Sequence, residues 1–80
     1  MPAKSTIYAP AYRLVLAKLR EAREGAGLTQ QDVAKRLRRP QSYVSRVEAG
    51  QHKLGLIELA EFARLYRRPL EFFIGHLLAR

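Results

Sequence analysis

The polar side chains with the clearest chemistry follow Pro40, in a short helix predicted for Gln41 to Ala49. Val44 and Val47, three residues apart, mark its buried side. Its other side carries Gln41, Ser42, Ser45 and Arg46, with Tyr43 at the edge. A glutamine amide matches the donor and acceptor of adenine, and an arginine guanidinium matches the two acceptors of guanine. The pattern therefore indicates hydrogen bonding to the edges of nucleic-acid bases.

The preceding residues predict a second helix that positions this one. Residues 29–32 read Thr-Gln-Gln-Asp, which resembles a capping box with Asp in place of the usual Glu. The helix that follows must stop before Pro40, because proline is poorly tolerated inside a helix. Ala34 stands where two helices would cross closely. A helix of about nine residues, a short turn and a second such helix are the build of a helix-turn-helix, which we predict for residues 29–50.

Three further helices are predicted around this pair. One begins near Ala11 and ends at Gly25 and Gly27, another runs from Leu56 to Tyr66, and the last runs from Leu70 to about Ala79. No segment alternates as a strand would. We therefore predict an all-α, compact bundle of five short helices, with an N-terminal arm at residues 1–10 and one domain at residues 11–80.

The charge of the chain indicates a polyanionic partner. The 80 residues include 15 Lys and Arg but only 7 Asp and Glu, for a net charge of +8. Residues 1–57 hold eleven basic and four acidic side chains, a net of +7, whereas residues 58–80 hold four and three, a net of +1. Nucleic acid is the favoured partner of such a distribution, with a membrane surface or an acidic protein as the alternatives.

Several classes of function are not expected. The absence of cysteine excludes disulfides, zinc sites with cysteine ligands and cysteine nucleophiles. His52 and His76 are 24 residues apart and offer little from which to build a metal site. The chain has no run of about 18 apolar residues that could span a membrane. We expect no cofactor, no enzymatic activity and a cytoplasmic location.

Residues 12–66 resemble the phage-repressor and Cro-type helix-turn-helix family of bacterial and phage regulators. The matching stretches are LREAREGAGLTQQDVAKRL and PQSYVSRVEAGQHKL. The resemblance implies that the third helix lies in the major groove of double-stranded DNA. It implies base contacts by Gln41, Ser42 and Arg46, and contacts to the DNA backbone or groove wall by Arg23, Gln30, Tyr43, Ser45 and Lys53. It also implies a structural role for Glu48, paired with an arginine.

The chain departs from the family pattern at three helix boundaries. Arg38 follows the second helix and Arg67 follows the fourth, both at positions where glycine is frequent, and Gly55 stands where Ser or Asp usually precedes the fourth helix. Glycine is favoured after a helix because a positive φ costs it little. We therefore predict that Arg38 adopts a left-handed backbone conformation.

The function expected from these features is a sequence-specific transcription regulator, a repressor or autoregulator, that binds a palindromic operator as a dimer. The alternative is an antitoxin-like protein-interaction module that also binds DNA, so a toxin or RNA polymerase remains a candidate protein partner. The last helix is apolar on nearly every side and is the predicted dimer surface, through Leu70, Phe72, Phe73 and Leu77. The competing interpretation places Phe72, Phe73 and Ile74 in a single core, with dimers forming only on DNA.

Overall fold

The computed structural model describes residues 9–78, and this part of the chain is entirely helical, without a strand. Its helices are α1 (Pro10–Gly25), α2 (Gln30–Leu37), α3 (Gln41–Glu48), α4 (Leu56–Tyr66) and α5 (Leu70–Leu78). The predicted all-α bundle of five helices is confirmed. Most of the predicted arm and the end of the last helix at Ala79 lie outside the described residues.

The predicted capping box at the start of α2 is present. The Thr29 hydroxyl accepts a hydrogen bond from the Asp32 amide at 3.1 Å, and the Thr29 amide donates to the Asp32 carboxylate at 2.9 Å. Two amide groups that lack partners inside the helix are thereby satisfied. The shorter Asp side chain serves as well as Glu here, and it fixes where α2 begins.

Helices α2 and α4 end in the same way. Arg38 and Arg67 both have φ 58° and ψ 46°, which lies in the left-handed region. In each case the amide of the next residue donates to the carbonyl five residues back, from Arg39 to Ala34 at 2.9 Å and from Arg68 to Ala63 at 3.0 Å. The left-handed conformation predicted for Arg38 is confirmed, and Arg67 repeats it.

The core lies where α1 meets the other helices. Val33, Val44 and Val47 join α2 to α3, while Phe62 of α4 and Phe73 of α5 fill the space next to α1. Each of these five side chains is almost completely excluded from solvent. Burial of large apolar side chains supplies most of the stability of a domain this small.

The position of α5 corrects part of the predicted dimer surface. Phe73 has 0% exposure, so it belongs to the core of a single chain and is not available to a second copy. Phe72 is half-buried, with the cations of Lys18 and Arg68 over its ring. Leu77 remains exposed. The sequence pattern misplaced Phe73 because a helix with apolar residues all round does not reveal which side faces the core.

Candidate nucleic-acid interface

Helix α3 presents a polar outer face to solvent. Ser42, Ser45 and Arg46 are spaced three and four residues apart, which puts them on one side of the helix, and all three are exposed. Gln41, also exposed, begins the helix directly after Pro40. The opposite side is anchored by Val44 and Val47, both with 0% exposure. The predicted base-contacting residues therefore share one accessible surface.

One flank of α3 is tied to α1 and α2 through Glu48. The guanidinium of Arg23 donates to both Glu48 carboxylate oxygens, from Nε at 2.7 Å and from Nη2 at 3.1 Å. The Gln30 amide nitrogen donates to Glu48 Oε1 at 3.1 Å. The hydrogen bond to Glu48 raises the pKa of Arg23 above its ordinary value, although burial opposes the shift. Three helices are thereby joined at a single carboxylate.

Arg23 is placed differently from the phosphate contact that the resemblance implied. Its side chain is about one-tenth exposed, and its remaining nitrogen, Nη1, donates to the Leu28 carbonyl at 3.0 Å. A guanidinium with these partners cannot also reach a phosphate without breaking the pair. The expected pairing of Glu48 with an arginine is found, and Arg23 is that arginine. Its role is to position α3 and Gln30.

The other flank of α3 is tied to α4 through Tyr43. The Tyr43 hydroxyl donates to Glu58 Oε2 at 2.9 Å, and its ring stacks on the ring of Phe62 with centroids 6.1 Å apart. The Arg39 guanidinium lies 4.6 Å from the Tyr43 ring centroid. Burial, followed by the hydrogen bond to Glu58, raises the pKa of Tyr43 to about 12. The hydroxyl expected at the DNA backbone is already engaged inside the domain.

Glu58 also organises the loop that follows α3. Its Oε1 accepts from the Gly55 amide at 2.8 Å, and its Oε2 lies 3.0 Å from His52 Nε2. Burial alone would raise the pKa of Glu58, but the hydrogen bonds from Gly55, Tyr43 and His52 outweigh it and lower the pKa below 4.5. The loop carrying the exposed Lys53 is thus fixed at two points.

The sequence interpretation did not assign a role to Glu58 or Arg39. The signal available for Glu58 was its spacing of three residues from Gly55, which is the spacing of a capping box. Its bonds to Tyr43 and His52 join positions 15 and 6 residues away in the chain. No local pattern indicates such contacts.

The cations nearest the outer face of α3 are not neutralised by neighbours. Arg46 and Lys53 are both exposed, and neither takes part in an ion pair within residues 9–78. Arg39, by contrast, lies 3.5 Å from Glu61 and 3.8 Å from Glu58. Unpaired surface cations beside exposed glutamine and serine side chains suit a ligand that is both anionic and rich in hydrogen-bonding groups.

Metal-binding and membrane-spanning features are not found in the same part of the chain. The described residues contain no group of three or more acidic or histidine side chains placed to hold a metal ion. None of the helices in residues 9–78 combines the length and hydrophobicity needed to span a bilayer.

Comparison with known proteins gives one match. A family model described as a helix-turn-helix domain matches residues 15–71, which takes in α2, α3 and α4 together with most of α1. No curated protein and no solved structure matches the chain. The matched residues include the whole outer face of α3 and both of its flanks.

Proposed function

The chain belongs to the helix-turn-helix domain family, and we propose that it is a sequence-specific transcription regulator of the phage-repressor and Cro type, acting as a repressor. The observation that carries the proposal is the state of α3. Both flanks of this helix are fixed by polar contacts, at Glu48 and at Tyr43, while its outer face is exposed to solvent. A rigid helix with an exposed polar face is what reading a major groove requires.

The roles divide by chemistry. In the proposal, Gln41, Ser42 and Arg46 read base edges, because their side chains are exposed and carry the donors and acceptors that bases match. Ser45 and Lys53 contact the DNA backbone. Gln30 also contacts a phosphate, because its amide nitrogen is oriented by Glu48 while its amide oxygen takes no partner within residues 9–78.

The proposed regulator acts as a dimer on a palindromic operator in the cytoplasm of a bacterial cell, where it serves the cell or a phage. A single recognition helix reads only a few base pairs, and two half-sites one helical turn apart, about 34 Å, supply the missing specificity. Residues 1–10 form an arm and residues 11–80 the DNA-binding domain, with α5 contributing to dimerisation through Leu77.

Affinity measured across a salt series tests the proposal. A duplex selected from a random library should bind more tightly than random duplex at every salt concentration. The logarithm of affinity should fall with the logarithm of salt by about 0.9 for each phosphate neutralised. Equal binding of the two duplexes throughout the series would refute a specific regulator and leave the antitoxin-like protein-interaction module as the remaining candidate.

Variants at the outer face of α3 test the roles of individual residues. Gln41→Ala and Arg46→Ala should relax the selected sequence, since a bidentate base contact discriminates by about 1–3 kcal/mol. Lys53→Ala should weaken all sequences alike and reduce the salt slope by about 1. Arg64→Ala removes an exposed arginine from α4 and is the matched control for charge. An unchanged sequence preference in Arg46→Ala would contradict the assignment.

A further inference from the structure

An apolar groove runs between α1, α4 and α5, next to the end of the loop at residues 51–55. Its floor is formed by Tyr12, Val15 and Leu59, and its walls by Leu56, Ile74 and Leu77. The polar atom at its floor, the Tyr12 hydroxyl, already accepts a hydrogen bond from the Leu54 amide at 2.9 Å. The groove therefore offers an occupant an almost purely apolar surface.

The side chains around the groove are unusually exposed for their type. Leu56 is 71% exposed, Leu77 is 52% exposed, and Ile57, which stands beside the groove without lining it, is 73% exposed. Single exposed apolar residues are ordinary, but several that adjoin an apolar groove form a patch of the kind that marks an interface.

The charge of this region decides which occupant fits. The chain carries a net charge of +8, yet no charged side chain among the described residues lines the groove. Nucleic acid or an acidic protein would be met by cations, and the groove supplies none from this part of the chain. A second copy of the same basic chain, by contrast, can approach closely only where neither surface carries charge.

The shape of the patch is self-complementary. A dimer with two-fold symmetry brings the same surface of both chains together, so that a protrusion on one must meet a hollow on the other. Ile57 is such a protrusion and the groove beside it is such a hollow. We propose that the groove binds a second copy of this chain, with Ile57 of each protomer entering the groove of its partner.

The location of the groove agrees with the proposed function, on which its biological role rests. The loop at residues 51–55 leads directly from the end of α3 to Leu56, so the two-fold axis lies beyond the C-terminal end of the recognition helix. The domain measures 39 × 25 × 19 Å, and two copies side by side therefore have centres about 19 to 39 Å apart. This range includes the spacing of about 34 Å between half-sites.

Sedimentation equilibrium of the full chain without DNA, at micromolar concentration, tests the interface. The wild-type average mass should approach twice the 9.2 kDa of one chain. Ile57→Glu should reduce it to the mass of one chain. Leu14→Glu alters a leucine of α1 that is 42% exposed and does not line the groove, so this variant should remain dimeric. Circular dichroism verifies that each variant is folded.

A mixing experiment tests the proposed arrangement. Leu77→Lys, like Ile57→Glu, should be monomeric alone. When the two variants are mixed, the carboxylate introduced by Ile57→Glu on one chain meets the ammonium introduced by Leu77→Lys in the groove of the other. At the second contact of the same dimer, an unaltered Ile57 meets an unaltered groove. The mixture should therefore recover dimer that neither variant forms alone.

A monomeric wild type, a dimeric Ile57→Glu, a monomeric Leu14→Glu or a mixture that stays monomeric would each overturn the inference. These outcomes are separate from those of the DNA experiment. A dimer that binds all duplexes equally would refute only the proposed function, and a monomer that selects a specific duplex would refute only the interface.

Discussion

Breaking the buried ion pair between Arg23 and Glu48 from one side is expected to cost about 3–5 kcal/mol. The two side chains are only 10% and 7% exposed, and they share two hydrogen bonds, at 2.7 and 3.1 Å. With Arg23→Met, the Glu48 carboxylate stays buried with only the Gln30 amide as a donor. With Glu48→Met, the Arg23 guanidinium retains only the Leu28 carbonyl.

Urea unfolding followed by circular dichroism measures the effect. For a small domain the free energy of unfolding falls by roughly 1 kcal/mol per molar urea at the low end, so a loss of 3 kcal/mol lowers the midpoint by about 3 M. Domains of this size are near the lower end of the roughly 5–15 kcal/mol that is usual for total stability. Each single variant is therefore expected to be partly unfolded without urea.

The double variant Arg23→Met/Glu48→Met makes the test decisive. Replacing both partners of a buried pair with apolar side chains is often neutral or stabilising, so the double variant should be more stable than either single variant. The matched control is Arg20 with Glu24, also an Arg–Glu pair, at 3.2 Å but 65% and 57% exposed. Its coupling energy should be about 0.3–0.5 kcal/mol. A coupling energy for the buried pair as small as that of the control would refute the reasoning.

Three further changes are predicted to alter stability, all measured by urea unfolding. Arg38→Gly and Arg67→Gly, at φ 58°, should each be neutral or stabilise by up to about 1 kcal/mol, whereas Ala17→Gly inside α1 should cost about 1 kcal/mol; a clear loss at either arginine would contradict the left-handed assignment. Because the pKa of Glu58 is lowered below 4.5, its contribution to stability is present above that pH and is lost as the pH falls through the folded value. Glu58→Gln should therefore be less stable at neutral pH and lose less stability on acidification; an acid dependence equal to that of the wild type would contradict this. The Tyr66 hydroxyl is buried without a hydrogen-bond partner among the described residues, and burial raises its pKa, so Tyr66→Phe should be neutral or stabilise by about 1 kcal/mol; a loss of that size would reveal a partner.

The helices were predictable from the sequence because their signals are local. Thr29 and Asp32 predict where α2 begins, Pro40 limits its end, and the apolar spacing between Leu56 and Tyr66 reproduces the observed bounds of α4. The left-handed Arg38 was also predictable, because a helix that ends this abruptly before proline needs a residue with positive φ.

The contacts of the site could be predicted only in part. An exposed outer face on α3 follows from the burial of Val44 and Val47 on its other side. The partner of Arg23, however, lies 25 residues away, and that of Tyr43 lies 15 residues away. For an arginine or a tyrosine near a predicted DNA surface, sequence alone does not distinguish a side chain that faces the ligand from one that supports the helix behind it.

The supporting contacts explain why the reading surface of α3 is narrow. A helix of eight residues has limited stability by itself, so the orientation of α3 depends on what holds its sides. Glu48 fixes one flank to α1 and α2, and Tyr43 fixes the other to α4. Both are polar residues in a segment that otherwise offers polar groups to DNA, and each is withdrawn from recognition by a partner on another helix. The side chains left for bases are those that lie between the two flanks, so specificity depends on Ser42 and Arg46, together with Gln41 at the helix start.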